Sequence, residues 1–139
     1  MNLRKLSFDK LTYVGIRDID EFEGNTIKEN NIRCLNTSGV IDYIRKLDGP
    51  IHISFDVDAL DPDLVDSTGT KVPDGMEPEE VRAIIKTALE MNKLVSLDVV
   101  EFNLHLGDPD NSLLAVKRVF AGDDISEAES DDHNSLRRQ

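Results

Sequence analysis

Short runs with strand character alternate with segments of helical periodicity along this chain, and few folds accept that order. Residues 11–17, LTYVGIR, have the β-branched and aromatic content of a strand, and the polar stretch DIDEFEGNT after them begins a solvent-facing connection. One or two helical turns over residues 26–30 lead to a second short strand at 31–35. Thr37 or Ser38 is placed to cap a helix reaching Leu47, in which Val40, Ile41, Ile44 and Leu47 recur at helical spacing, before Asp48, Gly49 and Pro50 stop it. A third strand covers 51–57 and an extended loop follows over 62–75. Pro78 then stands near the start of a helix that buries Val81, Ile84, Ile85, Ala88 and Leu89. The fourth strand is 94–100, and Pro109 opens a last helix with Leu113, Leu114, Val116, Val119 and Phe120 as its apolar positions. Repeated strand-then-helix order calls for parallel strands joined by right-handed crossovers, an α/β fold.

Length and charge narrow the function classes. A chain of 139 residues suits one domain. Residues 1–121 are expected to form it, because 122–139, GDDISEAESDDHNSLRRQ, hold almost nothing apolar and read as a disordered acidic tail. The formal net charge of -12 opposes nucleic acid and anionic membranes and leaves the surface receptive to cations. One cysteine, Cys34, excludes an internal disulfide framework and is expected in the core. The basic start lacks the apolar run of a signal peptide, and no window is long enough to span a membrane, so a soluble, cytoplasmic protein is expected.

The chemistry concentrates in SFDVDALDP, residues 54–62. Strand residues two apart point the same way, so Asp56 and Asp58 are expected to project together beyond the carboxyl end of the third strand, where open parallel sheets build ligand sites. Paired carboxylates there concentrate negative charge and offer the oxygen ligands that manganese or magnesium prefer. The competing reading gives Asp58, Asp61 and Asp63 to capping and turn formation around Pro62. Glu101, just past the fourth strand and three residues after Asp98, is a further carboxylate at this edge or a plain surface residue. Among the histidines, His52 reads as a structural strand residue, His105 sits after the last strand, and His133 lies in the tail. Glu77, Glu79 and Glu80 load a helix start with favourable negative charge. Gly69 and Gly75 relieve backbone constraint in the loop. No phosphate loop, nucleophile elbow or basic surface is present.

SFDVDALDP, the following DSTGTKVPDG, YVGIRDID at 13–20 and LDVVEFN at 97–103 together resemble the second half of the arginase and agmatinase group of ureohydrolases, over residues 10–121. The YVGIRDID segment is more similar to arginases than to agmatinases. The resemblance implies an incomplete three-layer α/β/α fold with a mostly parallel sheet, whose uncovered apolar edges favour marginal stability or self-association. It also implies that Asp56 bridges two Mn2+ ions, that Asp58 chelates one of them, that Glu101 faces a substrate guanidinium group and that Thr70 supports it. The implied reaction is hydrolysis of L-arginine to ornithine and urea, with a metal-activated water as nucleophile. Two histidines and two aspartates of the family's metal set belong to GGDHS and DAHxD motifs, and neither motif occurs here. Asp74 stands where the family pattern has glycine. These departures imply a fragment, the C-terminal part of an arginase-like protein and inactive alone; the complete fold implies a homo-oligomer, and a complementing chain that supplies the missing half is a rival. A noncatalytic module docked on a complete arginase-like subunit, or half of an agmatinase-type hydrolase, are the rival readings.

Overall fold

The computed structural model describes residues 5–122. After a short 3-10 turn at Phe8–Lys10, the elements run β1 Thr12–Val14, α1 Glu21–Glu29, β2 Arg33–Leu35, α2 Thr37–Lys46, β3 Ile51–Asp56, a second 3-10 turn Val57–Ala59, α3 Pro78–Glu90, β4 Leu94–Val100 and α4 Pro109–Ala121. The expected tail beyond Gly122, with His133, lies outside the described residues.

Both strand pairs are parallel, β1 with β2 and β3 with β4, and they form two separate two-stranded sheets rather than one. Strand β3 is buried on one side only. Phe55 and Val57 join the core with Ile53 packed against it, whereas His52 and Ser54 on the opposite face are exposed, beside Ser96 and Asp98 of β4. Residues of α2, α3 and α4 supply the rest of that core, including Val40, Ile44, Val81, Ala88, Val116 and Val119. The β3–β4 pair is thus covered by helices on one face and open on the other, an incomplete form of the α/β/α arrangement.

Local chemistry explains the element ends. Helix α3 starts with Pro78 after Glu77, whose backbone N–H donates to Glu80 Oε2 at 3.0 Å. Glu80 also accepts from Thr37 Oγ1 at 2.9 Å, joining the starts of α2 and α3, while Glu79 pairs with Arg118 at 2.6 Å. At the other end of α2, Lys93 Nζ donates to the carbonyls of Ile44 and Arg45 at 2.7 and 3.1 Å, satisfying acceptors that the helix leaves free.

Several expectations are corrected. Helix α1 is longer than one or two turns and starts at Glu21, because Asp20 and Glu23 form a reciprocal capping box. Its weak apolar pattern hid it, and it buries no residue. Asn36 rather than Thr37 or Ser38 caps α2, accepting from Gly39 N–H at 2.9 Å. Cys34 is exposed, since β2 turns Arg33 and Leu35 inward and Cys34 outward. Leu89, expected on the buried face of α3, is exposed, as are Leu113, Leu114 and Phe120 among the apolar positions of α4.

Candidate functional site

Asp56 is the last residue of β3, and there the chain leaves extended geometry for the 3-10 turn Val57–Ala59. Asp58 therefore sits in the turn, and the two-residue period of a strand does not place it. The turn itself brings the two acids together. Asp56 Oδ1 accepts the backbone N–H of Asp58 at 3.1 Å, so Asp56 caps the turn while keeping its second oxygen. The Asp58 carboxyl is held above the usual carboxylate range. Burial contributes most, followed by the neighbouring charge of Asp56 and a side-chain hydrogen bond with it; Arg17 opposes the rise and Glu101 adds to it. Two carboxyl groups this close favour either a shared proton or a bound cation.

The competing turn reading goes to a neighbour. Asp61 Oδ1 accepts from Asp63 N–H at 3.0 Å and Oδ2 from Gly75 N–H at 2.9 Å, which holds its carboxyl below the usual range. These bonds fold residues 61–75 back on themselves, and Leu60 and Met76 close the base as a parallel bridge. Gly75 is needed for space, not for backbone freedom: a Cβ there would collide with the backbone of Leu60 and Asp61. Gly69 meets nothing within 4 Å.

Glu101 follows β4 directly and has φ +66, the left-handed region that L residues other than glycine seldom occupy. Such strain of about 1 kcal/mol or more persists only where surrounding structure enforces it, and it is common at functional sites. Asn103 N–H donates to Ser67 O at 2.8 Å, fixing the exit of β4 to the loop that carries Thr70. Ser67 and Thr68 are buried, and Thr68 Oγ1 has no hydrogen-bond partner, whereas Thr70 is exposed.

A second tie fixes the same loop. Asp66 Oδ1 accepts from Asp108 N–H at 2.8 Å and Ser112 Oγ at 3.2 Å, and Ser67 Oγ donates to Leu106 O at 2.8 Å. These partners, with the Asp108 bond foremost, hold Asp66 below the usual carboxylate range.

Asp56, Asp58 and Glu101 thus gather at the carboxyl ends of the paired strands β3 and β4. Among the described residues, no three His, Cys, Asp or Glu side chains are arranged to hold a metal ion. The donor chemistry fits part of an oxygen-ligand set for manganese and does not complete one. His52 points across the open sheet face, its Nδ1 2.8 Å from Ser96 Oγ and its Nε2 3.6 Å from Asp98. His105 is exposed, and its backbone N–H bonds Asn103 Oδ1. Neither joins the carboxylates.

Sequence reasoning missed Arg17. Its guanidinium reaches the carbonyls of Asp58 and Ala59, forty-one and forty-two positions away. Its signal, a lone arginine closing a strand before acidic residues, does not name distant partners. Asp66 was missed for the same reason.

Residues 2–121 match the model of the arginase family. The chain is 42% identical over 112 residues to the arginase of Glaciozyma antarctica, covering 71% of this chain and 32% of that protein. It is 38% identical over 128 residues to the Neurospora crassa arginase, covering 84% and 36% respectively. Among solved structures, the Entamoeba histolytica arginase in complex with L-ornithine superposes with a TM-score of 0.64 at 31% identity, over 79% of this chain and 42% of that one. The chain spans about a third of the length of the curated relatives it matches. No helix among the described residues is long and apolar enough to cross a membrane.

Proposed function

The chain belongs to the arginase family, and we propose that it contributes one part of a cytoplasmic, manganese-dependent site that hydrolyses the guanidinium group of L-arginine to ornithine and urea. The observation that carries this reading is the half-buried Asp58 set against Asp56 in the turn that ends β3, where Asp56 Oδ1 accepts the Asp58 N–H at 3.1 Å, with the charge of Glu101 bearing on Asp58 from the end of β4. In this reading Asp56 and Asp58 would be ligands of the Mn2+ pair. A bound metal pair would supply a nucleophile at neutral pH. Glu101 orients the cationic guanidinium by charge-assisted hydrogen bonds, and Thr70 supports it from the facing loop. The left-handed backbone at Glu101 and the tie of Asn103 to Ser67 hold the backbone that carries this carboxylate next to the Thr70 loop.

Because the described residues hold no group of three ligands, the remaining donors come from a complementing chain, or from the rest of a longer polypeptide that assembles as a homo-oligomer. The same incompleteness favours a second reading, a noncatalytic module that docks on a complete arginase-like subunit.

One experiment separates these readings. Urea release from L-arginine and from agmatine is measured with Mn2+, first for this chain alone and then for an equimolar mixture with a polypeptide carrying the GGDHS and DAHxD motifs. The proposal expects urea from the mixture only, with L-arginine as the better substrate. Agmatine as the better substrate moves the assignment to an agmatinase-type half. Stable association of the two chains without urea supports the docking module.

A further inference from the structure

Arg17 joins three parts of the chain that the sequence keeps far apart. Its Nη1 donates to Gly15 O at 3.4 Å and Ala59 O at 3.0 Å, and its Nη2 to Asp58 O at 2.7 Å and Val72 O at 3.1 Å. Gly15 directly follows β1, Asp58 and Ala59 belong to the turn that carries the candidate ligand, and Val72 lies two residues beyond Thr70. A guanidinium presents its N–H groups as a rigid planar fork, so acceptors that satisfy it are fixed in one plane relative to one another. Nε is buried without a partner, so the carbonyls at the two terminal nitrogens supply the contacts that hold the group. The local fold leaves room for this reach. Gly15 has φ +68, and a Cβ there would press on Met76 Sδ at the base of the same loop.

We propose that Arg17 is the positioning residue of the site, clamping the Asp58 turn and the Thr70 loop to the end of β1 so that the metal-facing and substrate-facing segments keep one separation. The clamp stands on backbone geometry. Its consequence for metal and substrate rests on the function proposed above. Lysine keeps the charge on a flexible stem but loses the planar fork, so it should hold one segment at a time.

The test uses the purified chain with Arg17→Lys and Arg17→Ala, read by backbone amide hydrogen exchange, and its mixture with a polypeptide carrying the GGDHS and DAHxD motifs, read by Mn2+ binding in electron paramagnetic resonance. Exchange is expected to accelerate about tenfold or more at residues 57–61 and 70–75 in Arg17→Ala and less in Arg17→Lys, while amides of α3 keep wild-type rates. Mn2+ affinity is expected to fall in the same order. Unchanged exchange in both segments overturns the proposal, as does acceleration spread equally over α3 in the Lys variant. If Arg17→Ala does not fold, the Lys variant decides by the same criterion. Should the wild-type mixture bind no Mn2+, the metal assignment loses support while the exchange result still decides the clamp.

Discussion

Asp74 shows at a single residue how a departure from a family pattern becomes a structural cost. The family resemblance puts glycine where this chain has aspartate, and the backbone there adopts φ +62. Aspartate tolerates the left-handed region better than most residues, yet its Cβ still meets unfavourable contacts that glycine lacks. The Asp74 backbone N–H also helps hold the Asp61 carboxylate, and glycine retains that group. Asp74→Gly is therefore expected to stabilise the chain by a few tenths to about 1 kcal/mol, after allowance for the added freedom of the unfolded state. Urea denaturation checks the sign, and a clear loss of stability would contradict it. At this scale the chemistry was partly legible. The spacing of Asp56 and Asp58 exposed the pair, although a turn and not a strand period brings them together. Arg17 and Asp66 were illegible because their partners lie more than forty residues away.

Elements with strong periodicity were read almost to the residue. Strand β4 and helix α4 begin where expected, because a continuous apolar run in one and Pro109 in the other mark the boundary. Helix α1 was read short because its stability comes from the Asp20–Glu23 cap and not from an apolar face. The loop 61–75 and the start of α4 act as one unit through carboxylates, so the unit should respond to acid. Asp61 and Asp66 both have folded-state pKa values lowered by hydrogen bonds to backbone N–H groups. For a lowered carboxylate the stabilisation is complete above the unfolded value, about 4, and is lost as pH falls through the folded value. Stability measured by denaturant should therefore fall between about pH 5 and about pH 2, and the Asp61→Asn, Asp66→Asn double variant should show a shallower fall. An equal slope in the two proteins would show that these loops do not contribute to acid sensitivity.

Across the whole molecule, two features of the fold lead to the same requirement. The strands form two separate pairs with unpaired edges, and Val95, Leu113, Leu114 and Phe120 remain exposed along β4 and α4. Apolar positions of the last helix are thus left exposed, which was not legible because periodicity reports an apolar face and not what covers it. The carboxylates are likewise grouped without a third ligand among the described residues. Both observations fit Asp56 and Asp58 as ligands in a metal site completed by other residues. The most direct measurement is the Mn2+ stoichiometry of the completed assembly, made with wild-type chain and with Asp58→Ala. The account predicts two ions per site in the wild type and loss of at least one in the variant, with urea release lost alongside. Two tightly held ions in Asp58→Ala would contradict it.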